Sequence, residues 1–129
     1  MKFGYTIIYV QDVPKALGFF ENAFGLQTRF IHESNYGELC TGETTLSFAR
    51  HDLGTKNLPE GYISVESSPK PLGIEIALVT EDVDAAHSRA ISSGATEVSA
   101  PAQKKPWGQR VSYVRSPEGI LIELCTPVG

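Results

Sequence analysis

Two stretches of the chain carry one hydrophobic rhythm. Phe3–Val10, FGYTIIYV, is rich in β-branched and aromatic residues and suits a strand. Asp12 follows; its carboxylate can accept the orphan N–H groups of a first helical turn, and Pro14 stands where such a turn tolerates proline. Val13, Leu17, Phe20 and Phe24 then recur at helical spacing, and Gly25 supplies a left-handed stop. The rhythm returns at Ile74–Ala95. Tyr5 falls on Glu75, Asp12 on Asp82, Val13 on Val83, Ala16 on Ala86 and Phe20 on Ala90, and Gly94 closes the second helix one position early. His87 falls on Leu17 of the core-facing stripe, which reads as a partly buried structural histidine.

Three strand-like runs follow each helix. They are Gln27–Glu33, Tyr36–Thr41 and Thr44–Arg50 in the first half, and Thr96–Ala100, Gln109–Arg115 and Ile120–Thr126 in the second. ESNYG (33–37) and SPEG (116–119) carry turn chemistry. Each half therefore reads β-α-β-β-β. The predicted fold is α+β: one domain over 1–129, with module 1 at about 1–50 and module 2 at about 73–129. One helix covers one sheet face. Two modules side by side form a curved mixed sheet with helices outside and a central cleft suited to a small molecule. The segment between them, His51–Leu72, is rich in Gly, Pro and Ser and reads as a long connection, of a kind that is often functional or mobile.

Composition narrows the function. The 129 residues suffice for one domain with a core. At 41% hydrophobic and 20% charged the chain is neither disordered, collagenous nor membrane-spanning, and no apolar run approaches the roughly 18 residues of a bilayer span. The N-terminus enters a strand pattern at once, without a signal peptide, so a cytoplasmic location is expected. Net charge is −4 with pI near 5.3, and the basic residues are scattered, which argues against nucleic acid or an anionic membrane as partner. Cys40 and Cys125 lack metal-ligand spacing and read as free thiols in strands.

The paired modules resemble the vicinal oxygen chelate superfamily, which includes glyoxalase I, extradiol dioxygenases and bleomycin-resistance proteins. The resemblance rests on YTIIYVQDVPKALGFFENAFGL, IEIALVTEDVDAAHSRAISSGA and KPWGQRVSYVRSPEGILIELCTP, well over half of the chain. In metal-using members, the first and fourth strands of each module supply His, Gln or Glu ligands that point into the cleft. Carried over, those positions fall on Tyr5, Ser47, Glu75 and Glu123. Glu123 matches the family's last-strand carboxylate, whereas Tyr5 and Glu75 stand where histidine is commonest. Zn²⁺, Ni²⁺ and Fe²⁺ favour imidazole in such sites, and none falls on a ligand position. Glu123, Glu75 and Tyr5 suit only a hard ion such as Mg²⁺ or Mn²⁺. No cofactor is therefore expected, with a divalent metal as the lesser alternative.

Without a metal, Glu75 and Glu123 face one another in the cleft, where like charges raise one carboxyl's pKa. They are then a general acid/base pair or an anchor for a cationic or hydroxylated ligand; the plainer reading pairs each with Arg110, Tyr5 or water. Period-2 alternation turns Ile7 and Tyr9 inward with Tyr5, and Leu121 and Cys125 inward with Glu123. Cys125 reads as a core or lining thiol. His32, on the second strand, reads as a polar lining residue. Trp107, before a glycine as in bleomycin-resistance-like relatives, either stacks on ligand or packs on its own loop, and Arg110 meets a ligand anion or a pocket carboxylate.

The expectation is a small-molecule-binding protein of the glyoxalase/bleomycin-resistance type, metal-independent, taking a planar organic ligand. The candidate ligand-binding residues are Tyr5, Ile7, Tyr9, His32, Ser47, Glu75, Trp107, Arg110 and Glu123. The alternatives are a metal-dependent lyase or isomerase of the glyoxalase I type, or a related dioxygenase, using Glu75 and Glu123, and a protein whose cleft has lost its ligand. Resemblance alone implies a homodimer.

Overall fold

Asp12 and Asp82 start their helices in one way: each carboxylate accepts the backbone N–H three residues on, of Lys15 and Ala85, at 3.0 Å. The computed structural model describes every residue but Lys104, Lys105, Trp107 and Gly129. The order is β1 (Tyr5–Val10), α1 (Val13–Phe24), β2 (Gln27–His32), β3 (Tyr36–Cys40), β4 (Thr45–Arg50), α2 (His51–Asn57), β5 (Glu75–Val79), α3 (Val83–Ser92), β6 (Thr96–Gln103), β7 (Arg110–Arg115) and β8 (Leu121–Cys125). The fold is α+β with two βαβββ modules, each forming a four-stranded mixed sheet, ordered β1-β4-β3-β2 and β5-β8-β7-β6. In each, the first strand pairs with the fourth in parallel and the remaining pairs are antiparallel.

The helical stripe does what its spacing predicts. Val13, Leu17 and Phe20 are buried beneath α1, with Phe24 half-buried beside them. Phe20 packs on Phe48 of β4 with ring centroids 5.3 Å apart. Burying a side chain of this size contributes about 1.5–3 kcal/mol. Val83, Ala90, Val114, Ile122 and Leu124 do the same in the second module, and all belong to one continuous core. α1 ends on Gly25 at φ +70°, as its glycine predicts. α3 ends at Ser92, and Gly94 takes the left-handed turn at φ +116°. The modules meet where α1 and α3 pack together, and Arg89 of α3 donates to the carbonyl of Asn22 at 2.6 Å. His87 is the buried structural histidine expected, with its Nε2 2.8 Å from Glu97. Cys40 and Cys125 are free thiols.

The connection between the modules departs from the sequence reading. It opens with a helix, α2, that the composition concealed: no side chain caps its start, and a glycine sits at its centre. The remainder, residues 58–72, forms a strap without regular structure, docked at both ends. On the second module, the Arg115 guanidinium donates to four carbonyls: Ser68 at 2.7 Å, Gly119 at 3.0 Å, and Val65 and Pro69 at 3.3 Å. The approach is close enough to require glycine at the β7–β8 turn. A Cβ on Gly119, at φ +98°, would lie 2.2 Å from the Val65 carbonyl oxygen.

Gly119→Ala should therefore cost about 1–3 kcal/mol, since the atom in its way is backbone and cannot swing aside. Urea unfolding measures it; an unchanged midpoint would show that the strap does not press on this turn.

Candidate functional site

Each sheet has one face under its helix and one face turned away from it. Register assigns residues to the second face. Ile7 pairs with Ser47 as Ala77 pairs with Glu123, so Tyr5 and Glu75 hold equivalent places, as do Ser47 and Glu123. The equivalences drawn from the repeat hold in the strand pairing.

On the second sheet this face gathers Glu75, Glu123, Tyr113 and Cys125. Glu75 and Glu123 do not confront each other across a gap; they sit on adjacent strands of one sheet, displaced by two residues. The Tyr113 hydroxyl donates to Glu123 Oε1 at 3.1 Å. Glu75 is raised to about 7, because its carboxyl hydrogen-bonds to Glu123, because it is partly desolvated, and because Glu123 carries like charge. Burial and Glu123 push the Tyr113 phenol up to about 12, and both also raise the Cys125 thiol. A raised thiol is a poor nucleophile, so Cys125 lines the face.

On the first sheet, Tyr5 is exposed, whereas Ser47 is fully buried with its hydroxyl 3.4 Å from the Thr6 carbonyl. Two residues absent from the sequence reading join them. Glu38 is buried; it accepts from the Tyr36 hydroxyl at 2.8 Å and lies 3.7 Å from Arg29. Period-2 alternation along β3 was the available signal, since it turns Tyr36 and Glu38 to one face. His32 lies on the outermost strand, largely exposed, 3.7 Å from Glu33. Arg110 points to the helix side, where its guanidinium pairs with Asp84 of α3 at 2.7 and 2.8 Å, and the Glu123 hydroxyl partner is Tyr113. Trp107 lies outside the described residues.

Between the free edges of β1 and β5 lies an apolar cavity of about 290 Å³. Ile7 and Tyr9 line it from β1, Ile74, Ile76 and Leu121 from the second module, and Tyr62 from the strap. Tyr9 and Tyr62 pair with ring centroids 5.0 Å apart. Ile7 and Tyr9 thus share the cavity, while Tyr5 and Glu75 stand exposed outside it, Glu123 is half-buried and Ser47 is buried within its sheet. Among the described residues, no three His, Cys, Asp or Glu side chains converge to hold a metal ion.

The model of the Glyoxalase/Bleomycin resistance protein/Dioxygenase superfamily matches residues 2–124. No curated protein sequence matches the chain. Among solved structures, a glyoxalase-related enzyme from Fulvimarina pelagi superposes with TM-score 0.82 at 15% identity, covering 100% of this chain and 93% of that one. A glyoxalase/bleomycin resistance protein/dioxygenase family enzyme from Burkholderia phytofirmans PsJN gives TM-score 0.78 at 23% identity, covering 95% and 96%. TioX from Micromonospora sp. ML1 gives 0.69 at 22%, covering 98% of each chain. At these identities the likeness is one of fold.

The Glu75 shift has a sign that can be tested. A carboxyl raised in the folded state binds its proton more tightly there. Its contribution is complete below the ordinary glutamate range near 4.5 and is lost as pH rises through about 7. Wild type should lose stability over that window relative to Glu75→Gln, read as urea midpoints at pH 5 and pH 8. Parallel pH profiles for the two proteins would show that Glu75 titrates normally.

Proposed function

The chain belongs to the Glyoxalase/Bleomycin resistance protein/Dioxygenase superfamily, and from that membership we propose that it binds a small planar organic molecule without metal or other cofactor, as a cytoplasmic homodimer. The cavity between β1 and β5 carries this reading. Its walls are almost wholly apolar, it has an aromatic pair on one side, and about 290 Å³ is near the lower end for small-ligand pockets, which suits one or two fused rings. The neighbouring open face brings Glu75, Glu123 and Tyr113, so a neutral or cationic ligand is favoured over an anion. The donor set supports metal independence: two carboxylates beside a phenol, without imidazole.

Apolar side chains beside unpaired edges support the dimer. Tyr5 is 60% exposed and Val79 65%, on β1 and β5, whose outer edges have no strand partner among the described residues. Free thiols are consistent with a reducing compartment.

One observation favours a second reading, that of a lyase or isomerase. A carboxyl raised to about 7 beside a second carboxylate is poised to exchange a proton at neutral pH. Its site would be Glu75 and Glu123, with Tyr5 as a third donor if a divalent metal takes part.

Two measurements separate the readings. Uncharged two-ring aromatics should bind wild type by calorimetry, and Ile7→Trp, which fills the cavity from β1, should weaken them at least about tenfold, or about 1.4 kcal/mol, with little change in melting temperature. Elemental analysis after incubation with Mn²⁺, Ni²⁺, Zn²⁺ and Fe²⁺ should find no stoichiometric metal. One metal per chain, lost in Glu123→Ala, would overturn the metal-independent reading in favour of the lyase.

A further inference from the structure

Residues 58–66 wall the apolar cavity through Leu58, Tyr62, Ile63, Ser64 and Val65, so a ligand seated between Tyr9 and Ile76 lies against this strap. The strap's two attachments differ in kind. Arg115 holds its far part through three of its backbone carbonyls, those of Val65, Ser68 and Pro69. On the first module two of its side chains meet at one imidazole. His51, the first residue of α2, meets the Tyr62 hydroxyl at Nδ1 (2.7 Å) and Glu66 Oε1 at Nε2 (2.5 Å). The second oxygen of Glu66 accepts the Gln11 N–H at 2.8 Å, just past the end of β1. Glu66 accepts at both oxygens, which puts the imidazole proton on Nε2 and leaves Nδ1 to accept the Tyr62 O–H. Gly54 completes the seat: a Cβ there would lie 2.6 Å from the Tyr62 hydroxyl oxygen.

A carboxylate, an imidazole and a hydroxyl in sequence also make the geometry of an activated nucleophile. The surroundings oppose that role. Burial, Tyr9 and the Glu66 charge all raise the Tyr62 phenol, so a tyrosinate is disfavoured. The hydroxyl is also seated on Gly54 of α2.

We propose that Glu66, His51 and Tyr62 form a latch, that residues 58–64 swing about the Arg115-held segment when Tyr62 leaves it, and that this motion gates the apolar cavity for an uncharged planar ligand. This rests on the ligand-binding reading of the cavity. A gate is crossed on entry and on exit, so weakening the latch changes both rates together and leaves affinity nearly unaltered.

The test uses Glu66→Gln, which keeps the shape and loses the charge-assisted contact, on the full chain. Hydrogen exchange reads the strap with no ligand present. Peptides spanning 58–64 should exchange about tenfold faster in the variant, with α1 and β8 unchanged. Stopped-flow fluorescence with N-phenyl-1-naphthylamine, an uncharged aromatic probe, should show association and dissociation both about tenfold faster, with Kd altered less than about threefold. Unchanged strap exchange overturns the latch whatever binds. Faster exchange with unchanged probe rates, or a Kd shift carried by dissociation alone, overturns the gate and leaves the binding site standing. Faster exchange with no probe binding to either protein overturns the cavity as a ligand site, and the gate with it.

Discussion

Each module has one helix, and each of its sheets has two faces. That imbalance decides where the candidate functional groups stand. α1 and α3 cover the faces that carry Leu39, Phe48, Val114 and Ile122, and those become the core. The opposite faces are not covered by α1 or α3; Tyr5 stays exposed there, and Ile7 turns to the cavity. A sheet needs one buried face for stability, and the second is free to hold residues chosen for other reasons. All the candidate functional groups of the first and fourth strands lie on the uncovered faces, because period-2 alternation leaves them nowhere else once the helix side is apolar.

Much of this was legible because the signals were local or repeated. The helix starts follow from Asp12 and Asp82, the first stop from Gly25, and the buried stripe from 3.6-residue spacing. The equivalence of Ser47 and Glu123 followed from the family resemblance, and the strand register repeats it. What stayed hidden depended on partners distant in sequence. Alternation says which face Arg110 takes only when the neighbouring register is known, and nothing near it announces Asp84, 26 residues away. α2 has no capping side chain and a glycine at its centre, so its helical state is set by packing on β4 and β1. The strap's attachments reach across as many as 55 residues, from Gln11 to Glu66, and composition alone read it as a loop.

Acidic face and apolar cavity adjoin, and they suit different chemistry. The Glu75–Glu123 pair is largely open to solvent, where charge interactions are weak and ligand contacts compete with water. The cavity walls are almost wholly apolar, and each Å² of apolar surface removed from water there contributes roughly 25 cal/mol. For the proposed ligand, affinity would come mainly from the cavity, and the carboxyl pair would contribute orientation and selection between neutral, cationic and anionic molecules. This division holds whether or not the ligand is then turned over.

The register also accounts for the serine at position 47. Glu38 lies directly across from it on β3, buried and hydrogen-bonded to Tyr36. In the second module the corresponding pair is Tyr113 across from Glu123. Each sheet thus has one carboxylate and one hydroxyl at this crossing, with the strands exchanged. A carboxylate at position 47, which is fully buried, would bring a second negative charge against Glu38 in a desolvated place, and one of the two would have to take up a proton. The acidic donor of the first module has moved one strand over, to a position where Tyr36 satisfies it and Arg29 lies 3.7 Å away. Glu38 is thus engaged within its own sheet by Tyr36, as Glu123 is by Tyr113 in the second.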